Sequence, residues 1–194
     1  MKIYFIRHAE TRANVEQRYS STGSSPLTEK GLKQVDSLLI KFPVEEISGI
    51  YTSPLERCVS LALKLGEKSK ITPVFDERLV EFKFGIFDNM TWQQAETTYP
   101  MEFDMFCKSP GTYKLPEGES QDEFDGRIRS FIDYIRDNDA NIAVVTHAGV
   151  IRSALAYILD LDDAHKWKFR IMNASVTLIE ICDGHACLVL QELK

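Results

Sequence analysis

Ile3-Tyr4-Phe5-Ile6-Arg7-His8 is an unbroken apolar run that ends on a guanidinium and an imidazole. A run this short and continuous reads as a strand buried on both faces, which belongs in a parallel sheet covered by helices. The pattern recurs twice. Residues 47–52, rich in β-branched and aromatic side chains, lead into Ser53-Pro54-Leu55-Glu56-Arg57, and residues 141–146 lead into His147-Ala148-Gly149. Residues 175–181 and 186–190 read as a closing hairpin turned at Asp183-Gly184.

Helical stripes separate these strands. Leu32, Val35, Leu39 and Phe42 follow a cap at Thr28, and Leu55, Val59, Ala62 and Leu63 form the next stripe. Phe124, Ile128, Phe131, Ile132 and Ile135 follow the capping box Ser120-Gln121-Asp122-Glu123; Ile151, Ala154, Leu155 and Ile158 make the last. Strands alternating with helices predict an α/β fold with a mostly parallel sheet. Residues 100–118, with three prolines and two glycines, read as a long loop that shapes a substrate site.

The 194 residues, 44% hydrophobic and 27% charged, suit one domain with a full core. That composition excludes a disordered tail, a collagenous repeat and a disulfide miniprotein. No apolar run approaches the ~20 residues of a membrane helix, and the first residues lack the pattern of a signal peptide. A cytoplasmic protein without a membrane partner is expected. With a net charge of −6 and no basic stripe, the chain is not expected to grip nucleic acid. Cys58, Cys107, Cys182 and Cys187 show no CxxC pairing and read as buried, reduced thiols.

Chemistry gathers where the strands end. Arg7 and His8, Arg57, and His147 with Ala148 all follow apolar strands, and open α/β sheets bind ligands beyond those carboxyl ends, beside helix N-termini. A single histidine after a strand is more often a structural hydrogen-bonding residue than a catalyst. Two histidines and two arginines at equivalent positions could together neutralise a phosphate dianion without a metal. His8-Ala9-Glu10 has the H-x-E spacing of a zinc deaminase, but it lacks the P-C-x-x-C partner. No metal or other cofactor is expected.

Arg7-His8-Ala9-Glu10-Thr11 with Asn14 resembles the RHGET…N signature of the histidine phosphatase superfamily, the phosphoglycerate mutase-like family. The resemblance continues through Pro26-Leu27-Thr28-x-x-Gly31-x-x-Gln34, Thr52-Ser53-Pro54-Leu55-x-Arg57, Leu79-Val80-Glu81-x-x-Phe84-Gly85 and Thr146-His147-Ala148-Gly149-Val150-Ile151-Arg152. It implies a three-layer α/β/α fold in a single domain, residues 1–194, with a lid or substrate-shaping insertion around 86–120. It also implies that His8 is the nucleophile and becomes a phosphohistidine, and that Arg7, Arg57 and His147 bind the phosphoryl group. Glu81 would be the general acid and then the base that activates water. Asn14, Ser20 and Ala148 would contact phosphate or substrate. After Gly85 the sequence departs from the family pattern, carrying Phe87-Asp88-Asn89 where a Trp-Glu-Gly type of continuation is usual.

Within the resemblance, the mutases carry a longer insertion with adjacent arginines for a substrate carboxylate. Here 66 residues take the chain from Glu81 to His147, with no Arg-Arg pair among them. Water is therefore the expected acceptor, and a phosphomonoester phosphatase the expected activity. Pro116-Glu117-Gly118-Glu119-Ser120 resembles an element of the α-ribazole phosphatase-like branch. The implied substrate is α-ribazole 5′-phosphate or a broader range of small phosphomonoesters. A mutase-type phosphotransferase, a protein phosphatase and a non-catalytic phosphate-binding module stand as alternatives. A monomer or homodimer is expected, with a bell-shaped pH profile for the His8–Glu81 pair.

Overall fold

A computed structural model describes residues 1–109, 112–136 and 140–189. The expected strand residue Leu190 and loop residues Pro110 and Gly111 lie outside these. Thirteen elements organise the site: β1 (Lys2–Arg7), α1 (Arg12–Val15), α2 (Glu29–Lys41), β2 (Gly49–Thr52), α3 (Glu56–Ser69), β3 (Val74–Phe75), α4 (Trp92–Thr98), α5 (Pro100–Lys108), α6 (Gln121–Arg136), β4 (Ile142–Thr146), α7 (Ala148–Ile158), β5 (Val176–Cys182) and β6 (His185–Val189). The six strands lie in the order β3-β2-β4-β1-β5-β6. β1, β2, β3 and β4 pair in parallel, and β5 and β6 add an antiparallel edge.

Alternation along each central strand builds two cores. Ile3 and Phe5 of β1 face the same way as Ile142 and Val144 of β4, onto α6 and α7. Tyr4, Ile6, Ala143 and Val145 face the other way, onto α2 and α3. Burial on both faces explains why β1 and β4 carry no polar alternation. The molecule is thus a three-layer α/β/α sandwich with a mostly parallel sheet. The closing hairpin turns at Asp183 and Gly184, both with positive φ (49° and 79°), as a tight two-residue turn requires.

Local expectations meet several corrections. The buried stripe of α2 is Gly31, Val35 and Leu38, leaving Leu32 exposed; that of α3 is Cys58, Leu61, Ala62 and Leu65, leaving Leu63 exposed. Each helix offers two neighbouring apolar stripes, and close packing chooses between them. Gly31 settles α2, because a Cβ there would lie 2.2 Å from the Glu10 carbonyl oxygen. The expected loop at 100–118 begins as helix α5, since Pro100 sits at the first helical position, where its missing N–H costs nothing. Of the four cysteines only Cys58 is buried, because the other three occupy outward positions of α5 and the edge hairpin.

The capping box of α6 forms as read. Ser120 Oγ accepts from Glu123 N–H at 3.2 Å, and Glu123 Oε2 accepts from Ser120 N–H at 2.9 Å. No helix among the described residues is long and apolar enough to cross a membrane.

Candidate active site

β1, β2 and β4 end side by side. Parallel register places Arg7 opposite Thr146, His8 N–H donates to the Thr146 carbonyl at 2.9 Å, and Ser53 N–H donates to Val145 at 3.0 Å. His8, His147 and Arg57 are thereby brought together from positions up to 139 residues apart.

His8 is buried, and its Nδ1 lies 2.8 Å from the Ala9 carbonyl oxygen. A carbonyl only accepts, so Nδ1 carries the proton and Nε2 keeps its lone pair. Burial, with the like charges of Arg57 and Arg7, holds the His8 pKa down to about 3 despite the Ala9 bond. The ring is therefore neutral at physiological pH.

His147 stands edge-on to His8, with ring centroids 5.2 Å apart, and is fully buried. Arg57 Nε donates to its Nδ1 at 3.3 Å, which assigns the ring proton to Nε2, 2.9 Å from Ser53 Oγ. Burial and the Arg57 charge hold this imidazole well below its usual pKa. Arg57 Nη2 donates to the carbonyls of Ser20 and Ser21, each at 3.0 Å, tying the 20–23 loop to the site. Arg7 Nη1 donates to the Ile171 carbonyl at 2.7 Å, while its buried Nε has no hydrogen-bond partner. A buried cationic donor without a partner is a place for an anion.

Glu81 reaches the start of α7. Its Oε2 accepts from Gly149 N–H at 3.2 Å and its Oε1 from its own neighbour Phe82 at 3.0 Å. A cavity of about 180 Å³ is lined by Arg7, His8, Asn14, Ser20, Arg57 and Glu81, among others. Asn14 Oδ1 accepts from Thr11 and Asn173, so its amide nitrogen is the atom left for a ligand. His147 and Ala148 are not part of this lining: His147 stands behind Arg57, and Ala148 borders a neighbouring cavity.

Several supports escaped the sequence reading. Asn173 Nδ2 donates to the His8 carbonyl at 3.3 Å, and Ala174 N–H to the same oxygen at 3.1 Å. Arg127 donates to the Arg78 and Glu81 carbonyls and pairs with Glu119 at 2.7 Å. Glu119 also accepts from Lys83 N–H at 2.9 Å, so the Pro116–Ser120 element clamps the segment that carries Glu81. Gly85 and Gly118 make that clamp possible. A Cβ on Gly85 (φ +51°) would lie 2.0 Å from the Pro116 carbonyl oxygen, and one on Gly118 would lie 2.5 Å from that of Lys83. Asp88 accepts from Ser21 N–H at 2.7 Å, steadying the loop that Arg57 grips.

Residues 3–193 match the model of the histidine phosphatase superfamily (branch 1). The chain is 28% identical over 183 residues to phosphoserine phosphatase 1 of Hydrogenobacter thermophilus, covering 93% of this chain and 87% of that one. It is also 28% identical over 195 residues to the adenosylcobalamin/alpha-ribazole phosphatase of Salmonella typhimurium, covering 97% and 94%. The alpha-ribazole phosphatase structure from Shigella flexneri superposes with a TM-score of 0.90 at 25% identity, over 98% of this chain and 95% of that one.

Proposed function

The chain belongs to the histidine phosphatase superfamily, and from that premise we propose that it hydrolyses small phosphomonoesters through a phosphohistidine on His8. One observation carries this: His8 Nδ1 is committed to the Ala9 carbonyl, leaving Nε2 with a free lone pair in a cavity it shares with Arg7, Arg57 and Glu81.

His8 Nε2 attacks phosphorus in line, the N–P bond forms and the P–O bond to the alcohol breaks. Glu81, entering protonated, gives its proton to the departing oxygen. Arg7 and Arg57 hold the phosphoryl oxygens and stabilise the charge that spreads over them in the transition state. His147 keeps Arg57 aimed through the Nδ1 contact, and Asn14 adds an amide donor. In the second half, Glu81 accepts a proton from water as that water attacks phosphorus. The N–P bond then breaks, phosphate leaves and His8 recovers its lone pair.

The acceptor is water and the substrate a small molecule. The reaction belongs in the cytoplasm, where four cysteines without a disulfide stay reduced. The test is hydrolysis of p-nitrophenyl phosphate in excess EDTA by wild type and His8→Ala together. Turnover in the wild type that vanishes in the variant is expected. Activity that survives in the variant assigns the nucleophile elsewhere.

A further inference from the structure

Beyond Phe84 the phosphate pocket adjoins a second cavity of about 460 Å³, and Glu81 and Phe84 line both. A polar cavity of similar size also meets the phosphate pocket, at Arg18, Tyr19 and Ser20. Glu81, which faces the departing oxygen in the reaction above, lines the second, aromatic cavity and not the polar one, and so directs the esterified group into it. Six aromatic rings line it: Phe82, Phe84, Trp92, Phe106, Phe124 and Trp167. Trp92 opens α4, Phe106 lies on α5, and Trp167 comes from the 3-10 turn Asp163–Lys168. Both tryptophans stay open to solvent, Trp92 at 50% and Trp167 at 67% exposure. Large aromatic faces left exposed along a concave wall beside a reactive site mark a binding surface.

The cations here are already engaged. Lys166 Nζ lies 2.8 Å from Asp125 Oδ2 in a buried pair, and Ser153 also donates to Asp125. The Arg152 guanidinium lies over the Trp167 ring at 5.6 Å, and its Nε donates to the Phe169 carbonyl. With a carbonyl and an aromatic ring as partners, this guanidinium lies against the aromatic wall.

We infer that this cavity receives the leaving group, and that the preferred substrates are phosphomonoesters of alcohols with a large planar, apolar or aromatic body. The assignment rests on the phosphatase reading above and deepens it. Rings stacked against such a body hold it through the transition state, so the preference is read in kcat/KM.

The test compares 2-naphthylmethyl phosphate with ethyl phosphate and phosphoserine, all esters of primary alcohols, so that leaving-group acidity changes little. The naphthylmethyl ester is expected to show a kcat/KM at least about tenfold higher. Trp167→Ala should bring that ratio toward one. Because both tryptophans of the chain line the cavity, their fluorescence gives a second reading without turnover. In His8→Ala, the naphthylmethyl ester should change the tryptophan emission at lower concentration than either small ester. Equal kcat/KM values, or a preference for phosphoserine, would overturn the assignment and leave the phosphatase standing. Selective binding of the aromatic ester without hydrolysis of any ester by the wild type would support the cavity and overturn the phosphatase.

Discussion

Gly149 has no room for a methyl group: a Cβ there would lie 2.3 Å from Glu81 Oε1. Gly149→Ala should therefore push the Glu81 carboxylate aside while leaving His8 and the arginines in place. The expected signature is a loss of about 10²–10⁴-fold in kcat for alkyl phosphates, the usual worth of a general acid, and a much smaller loss for p-nitrophenyl phosphate. Equal losses for both esters would place Glu81 outside proton transfer. His8 makes a separate prediction, because burial beside Arg57 keeps its pKa near 3. In a proton NMR titration, the His8 ring signal, assigned by its loss in His8→Ala, should not move between pH 8 and pH 5. A midpoint near 6.5 would mean that the imidazole is solvated. Arg7 and His8 were legible in the sequence because they close an apolar strand, whereas Glu81, which follows no strand directly, was legible only through the motif Leu79-Val80-Glu81-x-x-Phe84-Gly85. His147 was legible in identity, but its place behind Arg57 was not, since a buried hydrogen bond between α3 and the turn after β4 leaves no mark on either segment alone.

The Pro116–Ser120 element and the turn carrying Glu81 form one clamp, held by the Glu119–Arg127 pair and by the contact of Gly85 with Pro116. Glu119→Ala strips Arg127 and Lys83 N–H of an acceptor. Breaking a largely buried pair costs about 3 kcal/mol, which chemical denaturation would read as a lower midpoint. Its effect on kcat should again be greater for alkyl esters than for p-nitrophenyl phosphate, since the support of Glu81 is lost and that of His8 is kept. A stability loss with no such bias would make the pair purely structural. Periodicity located α6 and α7 well and buried Val35, Phe42 and Ala62 correctly, yet it misplaced Leu32 of α2 and Leu63 of α3, which face solvent. Leucines on adjacent stripes are equivalent until a close approach, here Gly31 against Glu10, selects one. The loop expectation failed at α5 because proline reads as a breaker unless it falls at a helix start. Asn173, 165 residues from His8, carried no sequence signal, because its role is made entirely by tertiary contact.

Two neutral imidazoles at the sheet's carboxyl edge bear on the stability of the whole molecule. Both have folded pKa values below the ordinary 6.5, so above that pH neither state takes up extra protons and their contribution is complete. Below about 6.5 the unfolded chain binds protons that the folded one refuses. Stability then falls by up to about 1.4 kcal/mol per pH unit for each histidine, and for His8 the loss continues to about pH 3. Urea unfolding at pH 7 and pH 5 should show this fall, and His8→Gln should show less of it; equal slopes would overturn the linkage. The overall architecture was legible because alternating strands and helices leave few layouts, whereas the second cavity was not, being assembled from six separate segments. The grip on phosphate is built on the sheet ends, while the aromatic cavity draws its exposed tryptophans from α4 and the 163–168 turn. Inheritance can therefore act on the two halves separately. Lineages can trade one alcohol for another by rewriting peripheral segments while the phosphorus chemistry passes down intact, a mode of divergence in which clientele changes and trade does not.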